Sequence, residues 1–383
     1  MDKKSSEKDL IENDDQSKSL ITKIYLTIRS NWIPLLFALI ICIMTIIVVP
    51  IIYTFEKQTS YNNGTNLAWE IKATTFIDQQ MFIDKANLTL GNITGLSFDG
   101  DYNLYIVDKT KHRIVSLTDD ITIIVGHPNG TNGNDSTSLN FPNDIYIDKS
   151  NNIYIADTNN HRIQVWNKES KQVTTIFGID GKGTGTNQLD SPMSVTMDDN
   201  SCIYIADYGN NRIISFNISN NQANKYLEKT NNLERHQYVE TPISIKFDSV
   251  TKTIVIAQEQ GYNVIRWNIN SEYWTLIAGS ASSDLTGISR TLFNKLCYVY
   301  VDKYAHIYVA DCINQRIQFF TYSATELVKG RTIAGVISAV GNNSYIFNHP
   351  TAITLDQYGN LYVADSLNYR IQKFKQTSIL PTN

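Results

Sequence analysis

The sequence predicts an all-β fold, a six-bladed β-propeller, preceded by one N-terminal transmembrane α-helix. Three observations support this prediction: one sequence unit recurs six times, each copy has the pattern of short antiparallel strands, and one uncharged apolar stretch precedes all the copies. A fixed period of this size indicates an array of equivalent supersecondary units.

The repeated unit is clearest in YIADTNNHRIQVWN, from Tyr154 to Asn167. An apolar run ends at Asp157, a polar turn follows, and Arg162 begins a second apolar run. Successive equivalents of Asp157 are 49, 50, 51, 53 and 54 residues apart. They are Asp108, Asp157, Asp207, Gln258, Asp311 and Asp365.

Each copy has an apolar strand ahead of this unit and usually a fourth strand after it, which predicts a four-stranded sheet. The inner strands are apolar on successive residues, so both faces of each sheet must be covered. Packing of the sheets in a closed ring achieves this, whereas an open solenoid would need polar capping repeats. The first to third strands of the copies lie near residues 93–117, 143–167, 193–217, 243–268, 297–321 and 352–375.

The turn also carries a specific motif. In the second copy its residues are Ala156, Asp157, Asn160, Arg162 and Ile163, with Pro142 before it and Gly178 at the end of the fourth strand. This motif resembles the NHL repeat over about residues 68–375. The resemblance implies the propeller fold and does not by itself specify a function.

Five copies contain the Asp and the Arg together, and the fourth lacks both, with Gln258 and Asn263 in their places. This joint loss predicts that the two side chains interact within each turn, the carboxylate accepting from the guanidinium. The alternative is a ring of charges that binds an anionic ligand. The predicted structural pairs are Asp108 and Arg113, Asp157 and Arg162, Asp207 and Arg212, Asp311 and Arg316, and Asp365 and Arg370.

The first part of the chain predicts a membrane anchor. Residues 1–31 are polar, with six basic and six acidic groups, and are expected to form a disordered cytosolic tail. Residues 32–53 contain no charge and are long enough to span a bilayer. A cleaved signal peptide would need a shorter apolar region and small residues at a cleavage site. Residues 54–66 are a linker, and 67–383 form the propeller.

Basic residues before the span predict a cytosolic N-terminus, which makes the chain a single-pass type II membrane protein with its propeller extracellular or lumenal, the plasma membrane being favoured. Acceptor sequences for N-glycosylation occur only after the span. They are Asn63, Asn87, Asn92, Asn129, Asn134, Asn217 and Asn342.

The ends of the propeller sequence complement each other. An apolar segment at Leu67–Ile77 belongs to no complete repeat, and the sixth repeat lacks its fourth strand. We expect a strand near residues 69–77 to supply the outer strand of the last blade, which removes the open edge. The alternative is that residues 377–380 supply it.

The cysteines are few. Counting outward from the hairpin between Asp302 and Ile307 places Cys297 opposite Cys312, a separation compatible with a disulfide. The alternative is two buried thiols. Cys202 has no predicted partner.

No catalytic, cofactor-binding or metal-binding constellation is visible in the sequence. The resemblance extends in fold to peptide-amidating lyases, which need several histidines at the central axis. The residues that begin the inner strands here are Thr94, Asn143, Met193, Ile243, Cys297 and Thr351, and none is His. His349 is near the expected axis, and a lone histidine there is interpreted as structural.

Nucleic acid is excluded as a partner because the chain carries a net charge of −4 and offers no basic excess. The favoured function is an extracellular binding or scaffold domain that recognises a protein, peptide or glycan through the face with the Asp/Arg turns. The alternative is a metal-dependent propeller lyase or hydrolase.

Overall fold

The computed structural model describes residues 67–378, apart from residues 119, 221, 229–236, 270, 272, 281–284 and 323–329. The predicted tail (1–31), membrane span (32–53) and linker (54–66) lie outside the described residues, as does Asn63. Within the described part of the chain, no helix is long and apolar enough to cross a membrane.

The described residues form six four-stranded antiparallel sheets, which are the blades. Blade 1 consists of β3 (Ile93–Phe98), β4 (Leu104–Asp108), β5 (Arg113–Leu117) and β6 (Ile121–Val125). Blade 2 consists of β7 (Asp144–Ile147), β8 (Ile153–Asp157), β9 (Arg162–Trp166) and β10 (Val173–Phe177). Blade 3 consists of β11 (Pro192–Met197), β12 (Cys202–Asp207), β13 (Arg212–Asn217) and β14 (Gln222–Tyr226).

The remaining blades repeat this order. Blade 4 consists of β15 (Pro242–Asp248), β16 (Thr253–Gln258), β17 (Asn263–Asn268) and β18 (Trp274–Gly279). Blade 5 consists of β19 (Leu296–Val301), β20 (Ile307–Asp311), β21 (Arg316–Phe320) and β22 (Arg331–Gly335). Blade 6 consists of β23 (Pro350–Leu355), β24 (Leu361–Asp365), β25 (Arg370–Phe374) and, as its outer strand, β2 (Thr74–Asp78).

The N-terminal strand closes the last blade, as expected, because β2 pairs antiparallel with β25. The predicted single strand at residues 69–77 is wrong in detail, since the chain turns after residue 69. Strand β1 (Leu67–Trp69) pairs instead with β26 (Gln376–Ser378), so both ends of the propeller sequence meet. Helix α1 (Gln79–Ala86) then leads into blade 1 and buries Phe82.

The first strand of each blade is the innermost. Each of these strands contacts its counterparts in both neighbouring blades, and β23 contacts β3, so the ring is closed. The hairpins between the first and second strands lie on one face of the propeller. The Asp/Arg turns and the loops between blades lie on the other, which we call the loop-bearing face.

Apolar side chains pack between the blades. Tyr154 and Ile163 of blade 2 belong to one buried cluster with Val195 and Ile203 of blade 3. Burial on both faces of each sheet explains why the inner strands are apolar on consecutive residues. The closed ring thus accounts for a pattern that no isolated four-stranded sheet could accommodate.

Candidate functional site

Each Asp/Arg pair fastens a loop of the loop-bearing face to the next blade. In blade 2, Arg162 Nε donates to Asp157 Oδ2 at 2.7 Å, and the second carboxylate oxygen accepts from the Asn140 N–H at 2.7 Å. The Arg162 guanidinium also donates to the carbonyls of Asn134, Asp135 and Ser138. The predicted interaction is therefore present, and it holds the incoming loop as well as the turn.

The other four pairs have the same geometry. Arg Nε lies 2.6 to 3.0 Å from Asp Oδ2, and Asp Oδ1 accepts from a backbone N–H of the preceding loop. These pairs are Asp108 and Arg113, Asp207 and Arg212, Asp311 and Arg316, and Asp365 and Arg370.

Blade 4 replaces the ion pair with two carboxamides. Gln258 Oε1 accepts from the Glu240 N–H at 2.6 Å, which is the bond that Asp157 makes in blade 2. Gln258 Nε2 donates to Asn263 Oδ1 at 2.7 Å, and Asn263 donates onward to the Ser280 carbonyl. The Gln and Asn of blade 4 thus replace the Asp/Arg ion pair with uncharged hydrogen bonds that hold the loop in the same way.

Burial dominates the electrostatics of these carboxylates. It raises the pKa of Asp108 to about 6, against the opposing effect of the Arg113 guanidinium. Burial likewise raises the pKa of Asp157, Asp207, Asp311 and Asp365. The paired arginines and backbone donors offset part of this cost, as expected for buried charges.

Several charged side chains lie close together where the central axis of the ring meets the loop-bearing face. The residues that directly follow the signature position in the six blades are Lys109, Thr158, Tyr208, Glu259, Cys312 and Ser366. We call the site formed by Lys109, Asn143, Tyr208, Glu259 and Lys295 the axial mouth. Lys109 and Glu259 occupy equivalent positions in blades 1 and 4, which are opposite in a six-fold ring.

Glu259 already has two partners in the axial mouth. Lys295 Nζ lies 2.8 Å from its Oε1, and the Tyr208 hydroxyl donates to its Oε2 at 2.6 Å. Lys109 Nζ instead donates to the neutral Asn143 Oδ1 at 2.8 Å. Among the described residues, no carboxylate lies within ion-pair distance of Lys109.

Burial and the cation of Lys295 lower the pKa of Lys109, while Glu259 opposes the shift. Two lysines and one glutamate therefore give the axial mouth a net positive charge. A partly desolvated ammonium group without a counterion attracts anions more strongly than an exposed lysine does.

A buried polar cluster lies farther along the axis. Asp144 of blade 2 accepts from Ser194 of blade 3, from Lys246 of blade 4 at 2.9 Å, and from Tyr298 of blade 5 at 3.0 Å. Lys246 Nζ also lies 4.7 Å from the centre of the Tyr298 ring. We call these four residues the channel cluster. They connect four blades through the centre of the ring.

Cys297 and Cys312 form a disulfide in the structure, with their Cα atoms 6.0 Å apart. The register predicted for them is wrong by one residue, because Val301 and not Asp302 pairs with Ile307. A bulge between Leu296 and Tyr298 leaves Cys297 without a partner in the ladder, and its sulfur reaches that of Cys312 from this bulged position. The third described cysteine, Cys202, is free.

The other residues predicted to begin the inner strands are also at bulges or beside them. The register shifts at Thr94, Met193, Ile243 and Thr351 as it does at Cys297, and Asn143 directly precedes β7. Two of them bind the next blade: Asn143 Nδ2 donates to the Met193 carbonyl at 2.9 Å, and Thr351 donates to the Ile93 carbonyl.

Four of the predicted glycosylation acceptors have exposed side chains, and two are half-buried. The exposed ones are Asn87, Asn129, Asn134 and Asn342, and the half-buried ones are Asn92 and Asn217.

A separate cavity of about 420 Å³ lies between blades 1 and 2, toward the opposite face. Tyr105, Trp166, Lys168 and Lys171 are among its lining residues. Lys171 lies over the Trp166 ring, and Lys168 contacts the Tyr105 hydroxyl and Asp99. Because these polar groups already have protein partners, the cavity is a weaker candidate site than the axial mouth.

The sequence did not reveal the axial mouth or the channel cluster. Lys109, Glu259 and Lys246 belong to single blades, so the repeat pattern gives them no weight. One signal was available: Asp144, Ser194 and Tyr298 occupy equivalent positions near the start of inner strands that are otherwise mostly apolar.

The NHL repeat model matches residues 139–166 and 347–374, which belong to blades 2 and 6. No curated protein is similar enough in sequence to match this chain.

Solved structures of low sequence identity share the fold. An auxiliary nutrient binding protein from Bacteroides thetaiotaomicron is 14% identical with a TM-score of 0.58, over 83% of this chain and 74% of that one. A protein of the same description from Bacteroides ovatus is 15% identical with a TM-score of 0.57, over 83% and 75%. A streptogramin B lyase is 12% identical with a TM-score of 0.50, over 81% and 98%.

At these identities the likeness extends to the fold alone. The chain is a six-bladed β-propeller, and two of its blades match the NHL repeat.

Proposed function

We propose that this chain is a membrane-anchored recognition module whose propeller lies outside the cytosol and binds a ligand through the loop-bearing face. The ligand carries a carboxylate, presented by a peptide, protein or glycan, which binds at the axial mouth. The anchor is the apolar stretch at residues 32–53, and the exposed glycosylation acceptors support the same orientation.

The observation that carries this proposal is the environment of Lys109. Its ammonium group has a neutral hydrogen-bond partner, Asn143, and lies near a second cation, Lys295. The equivalent residues Thr158 and Ser366 in blades 2 and 6 are small, neutral and buried, so the fold does not require a lysine here. A charged side chain that is partly removed from water and that the fold itself does not require is typical of a binding site.

The loops around the axial mouth are well suited to recognition because their backbones are held in place. Each described Asp/Arg pair fixes a loop through a carboxylate and a guanidinium at once. Binding to a fixed loop costs less conformational entropy than binding to a loop that must first become ordered.

The ligand class can be tested by screening the purified protein on arrays. One array pairs peptides that have a free C-terminal carboxylate with their amidated forms, and another pairs acidic glycans with neutral ones. We expect retention of carboxylate-bearing members only, and loss of it in Lys109→Gln. Equal retention of amidated or neutral members would contradict the proposal.

The orientation is tested separately. Treatment of the protein from a eukaryotic secretory host with a glycosidase should reduce its mass, and Asn134→Gln should reduce the initial mass by one glycan. An unmodified product would argue against a propeller outside the cytosol.

A second candidate function is a metal-dependent lyase or hydrolase. The observation that favours it is a cluster of three residues, Cys297, Cys312 and His349, whose potential ligand atoms lie within 4.8 Å of one another and would include two thiolates once the disulfide is reduced. This candidate requires metal-dependent turnover of a substrate, whereas the recognition module requires binding alone.

A further inference from the structure

Three potential metal ligands from two neighbouring blades meet beside the axial mouth. The Sγ atoms of Cys297 and Cys312 and a ring nitrogen of His349 all lie within 4.8 Å of one another. Cys297 Sγ is 4.0 Å from His349 Nε2. Ligands of one tetrahedral zinc ion are separated by roughly 3.5 to 3.8 Å, given Zn–S and Zn–N bonds of about 2.3 and 2.0 Å.

The backbone around each ligand is positioned by contacts that do not involve the disulfide. Cys297 is the bulged residue of β19, and the Cys312 N–H donates to the Lys295 carbonyl at 2.9 Å. The His349 N–H donates to Gln315 Oε1 at 2.7 Å. Breaking the S–S bond therefore leaves the three ligand-bearing segments close together.

The donor set indicates the metal. Two thiolates and an imidazole favour Zn²⁺ over Ca²⁺ or Mg²⁺, which prefer oxygen ligands. His349 Nε2 is the ring atom that faces Cys297 Sγ, and a neutral imidazole nitrogen is a common zinc ligand. Three protein ligands leave one tetrahedral position for water or another ligand, as in catalytic zinc sites.

We propose that the disulfide between Cys297 and Cys312 is a redox gate on a zinc site made by Cys297, Cys312 and His349. A dithiol reductant transfers two electrons and two protons to the disulfide. The S–S bond breaks, two thiols form, and the reductant becomes a disulfide. Zn²⁺ then replaces the two thiol protons, which pass to solvent.

This inference goes beyond the proposed recognition function and does not depend on it. In an oxidising compartment the disulfide persists and no zinc is bound. In a reducing environment the same three residues hold the ion. The state of the cluster thus follows the redox conditions around the chain.

The test uses cobalt, which takes the place of zinc and absorbs visible light. The full chain is reduced with a phosphine, which does not compete for metal as a dithiol would, and is titrated with Co²⁺. We expect one equivalent to bind with the intense bands of a tetrahedral thiolate site. Zn²⁺ should abolish these bands, and the oxidised protein should not show them.

Variants identify the ligands. Cys297→Ser and His349→Gln should each weaken Co²⁺ binding at least tenfold, whereas Cys202→Ser, a change in blade 3, should leave it unchanged. Circular dichroism checks that each variant is folded. Equal Co²⁺ binding before and after reduction, or in the absence of Cys297 and His349, would overturn the proposal.

A second measurement on the wild-type protein avoids the variants altogether. After reduction, an alkylating reagent is added with and without Zn²⁺, and the labelled peptides are mapped. Zinc should protect Cys297 and Cys312 at least tenfold and should not protect Cys202. Equal labelling of Cys297 and Cys312 with and without zinc would also overturn the proposal.

Discussion

Gln258 Nε2 lies 2.7 Å from Asn263 Oδ1, at the place where the other five blades have an Asp/Arg ion pair. This neutral pair keeps the hydrogen bond to the preceding loop, because Gln258 Oε1 accepts from the Glu240 N–H. The protein therefore contains its own control for the contribution of the ion pair.

Transplanting the neutral pair into blade 2 tests the coupling. Asp157→Gln leaves the Arg162 guanidinium without its carboxylate, and Arg162→Asn leaves a buried carboxylate without its cation, so each should cost about 3 to 5 kcal/mol. The double variant should cost less than the sum by about 1 to 3 kcal/mol. Denaturant unfolding measures all four proteins, and additive losses would show that the two residues act independently.

Closure by the N-terminal strand is tested within β2. Ile77 is 5% exposed and belongs to the core cluster, whereas Thr75 on the same strand is exposed. Ile77→Asp should destabilise the protein by roughly 3 to 5 kcal/mol, because it buries an unpaired charge. Thr75→Asp should change the free energy of unfolding by less than about 0.5 kcal/mol. Similar free energies of unfolding for the two variants would show that β2 is dispensable for the ring.

The stability of the loops should depend on pH through His112 and His161. Nδ1 of each accepts from a backbone N–H of the next loop, at Phe141 and Ser191, which protonation would prevent. Burial lowers the pKa of both histidines below the usual value. The two histidines therefore bind protons more readily in the unfolded chain than in the folded protein. Their contribution to the free energy of unfolding is complete above pH 6.5 and is lost as the pH falls.

Replacing both histidines with Asn isolates this effect, since Asn211 Oδ1 makes the equivalent bond to the Thr241 N–H in blade 3. The double variant should unfold at nearly the wild-type temperature at pH 7.5 and be the more stable protein at pH 5. Melting temperatures that change with pH by the same amount in both proteins would contradict the role given to the two histidines.

The channel cluster should be sensitive to loss of its cation. Lys246→Met leaves the buried Asp144 carboxylate without its charge partner and should cost about 3 to 5 kcal/mol. Tyr298→Phe removes one hydrogen bond to that carboxylate and should cost about 1.5 to 3 kcal/mol. Lys246→Met should therefore unfold at the lower denaturant concentration. The reverse order would show that Asp144 does not depend on Lys246.

The repeat made most of the fold predictable. Asp157 and Arg162 could be paired because their equivalents are present or absent together, and closure of blade 6 followed from the missing fourth strand. Bulges have no such signature, so the predicted pairing of Cys297 directly opposite Cys312 was wrong, although the two sulfurs are bonded.

The axial mouth was not predictable in the same way. Lys109 and Glu259 are about 150 residues apart in the sequence and lie on opposite blades, so only the closed ring relates them. Periodicity identifies residues that all blades need. A binding site on a propeller is built from residues that differ between blades, and a single sequence gives them no common pattern.

The central claim is that Lys109 binds the carboxylate of a ligand at the axial mouth. Its most direct test is the dissociation constant of a carboxylate-bearing array hit for the wild type, Lys109→Gln and Lys149→Gln, the last being an exposed lysine on the opposite face. We predict binding at least tenfold weaker in Lys109→Gln, a loss of about 1.4 kcal/mol, and unchanged in Lys149→Gln. Equal affinities for all three proteins would contradict the account.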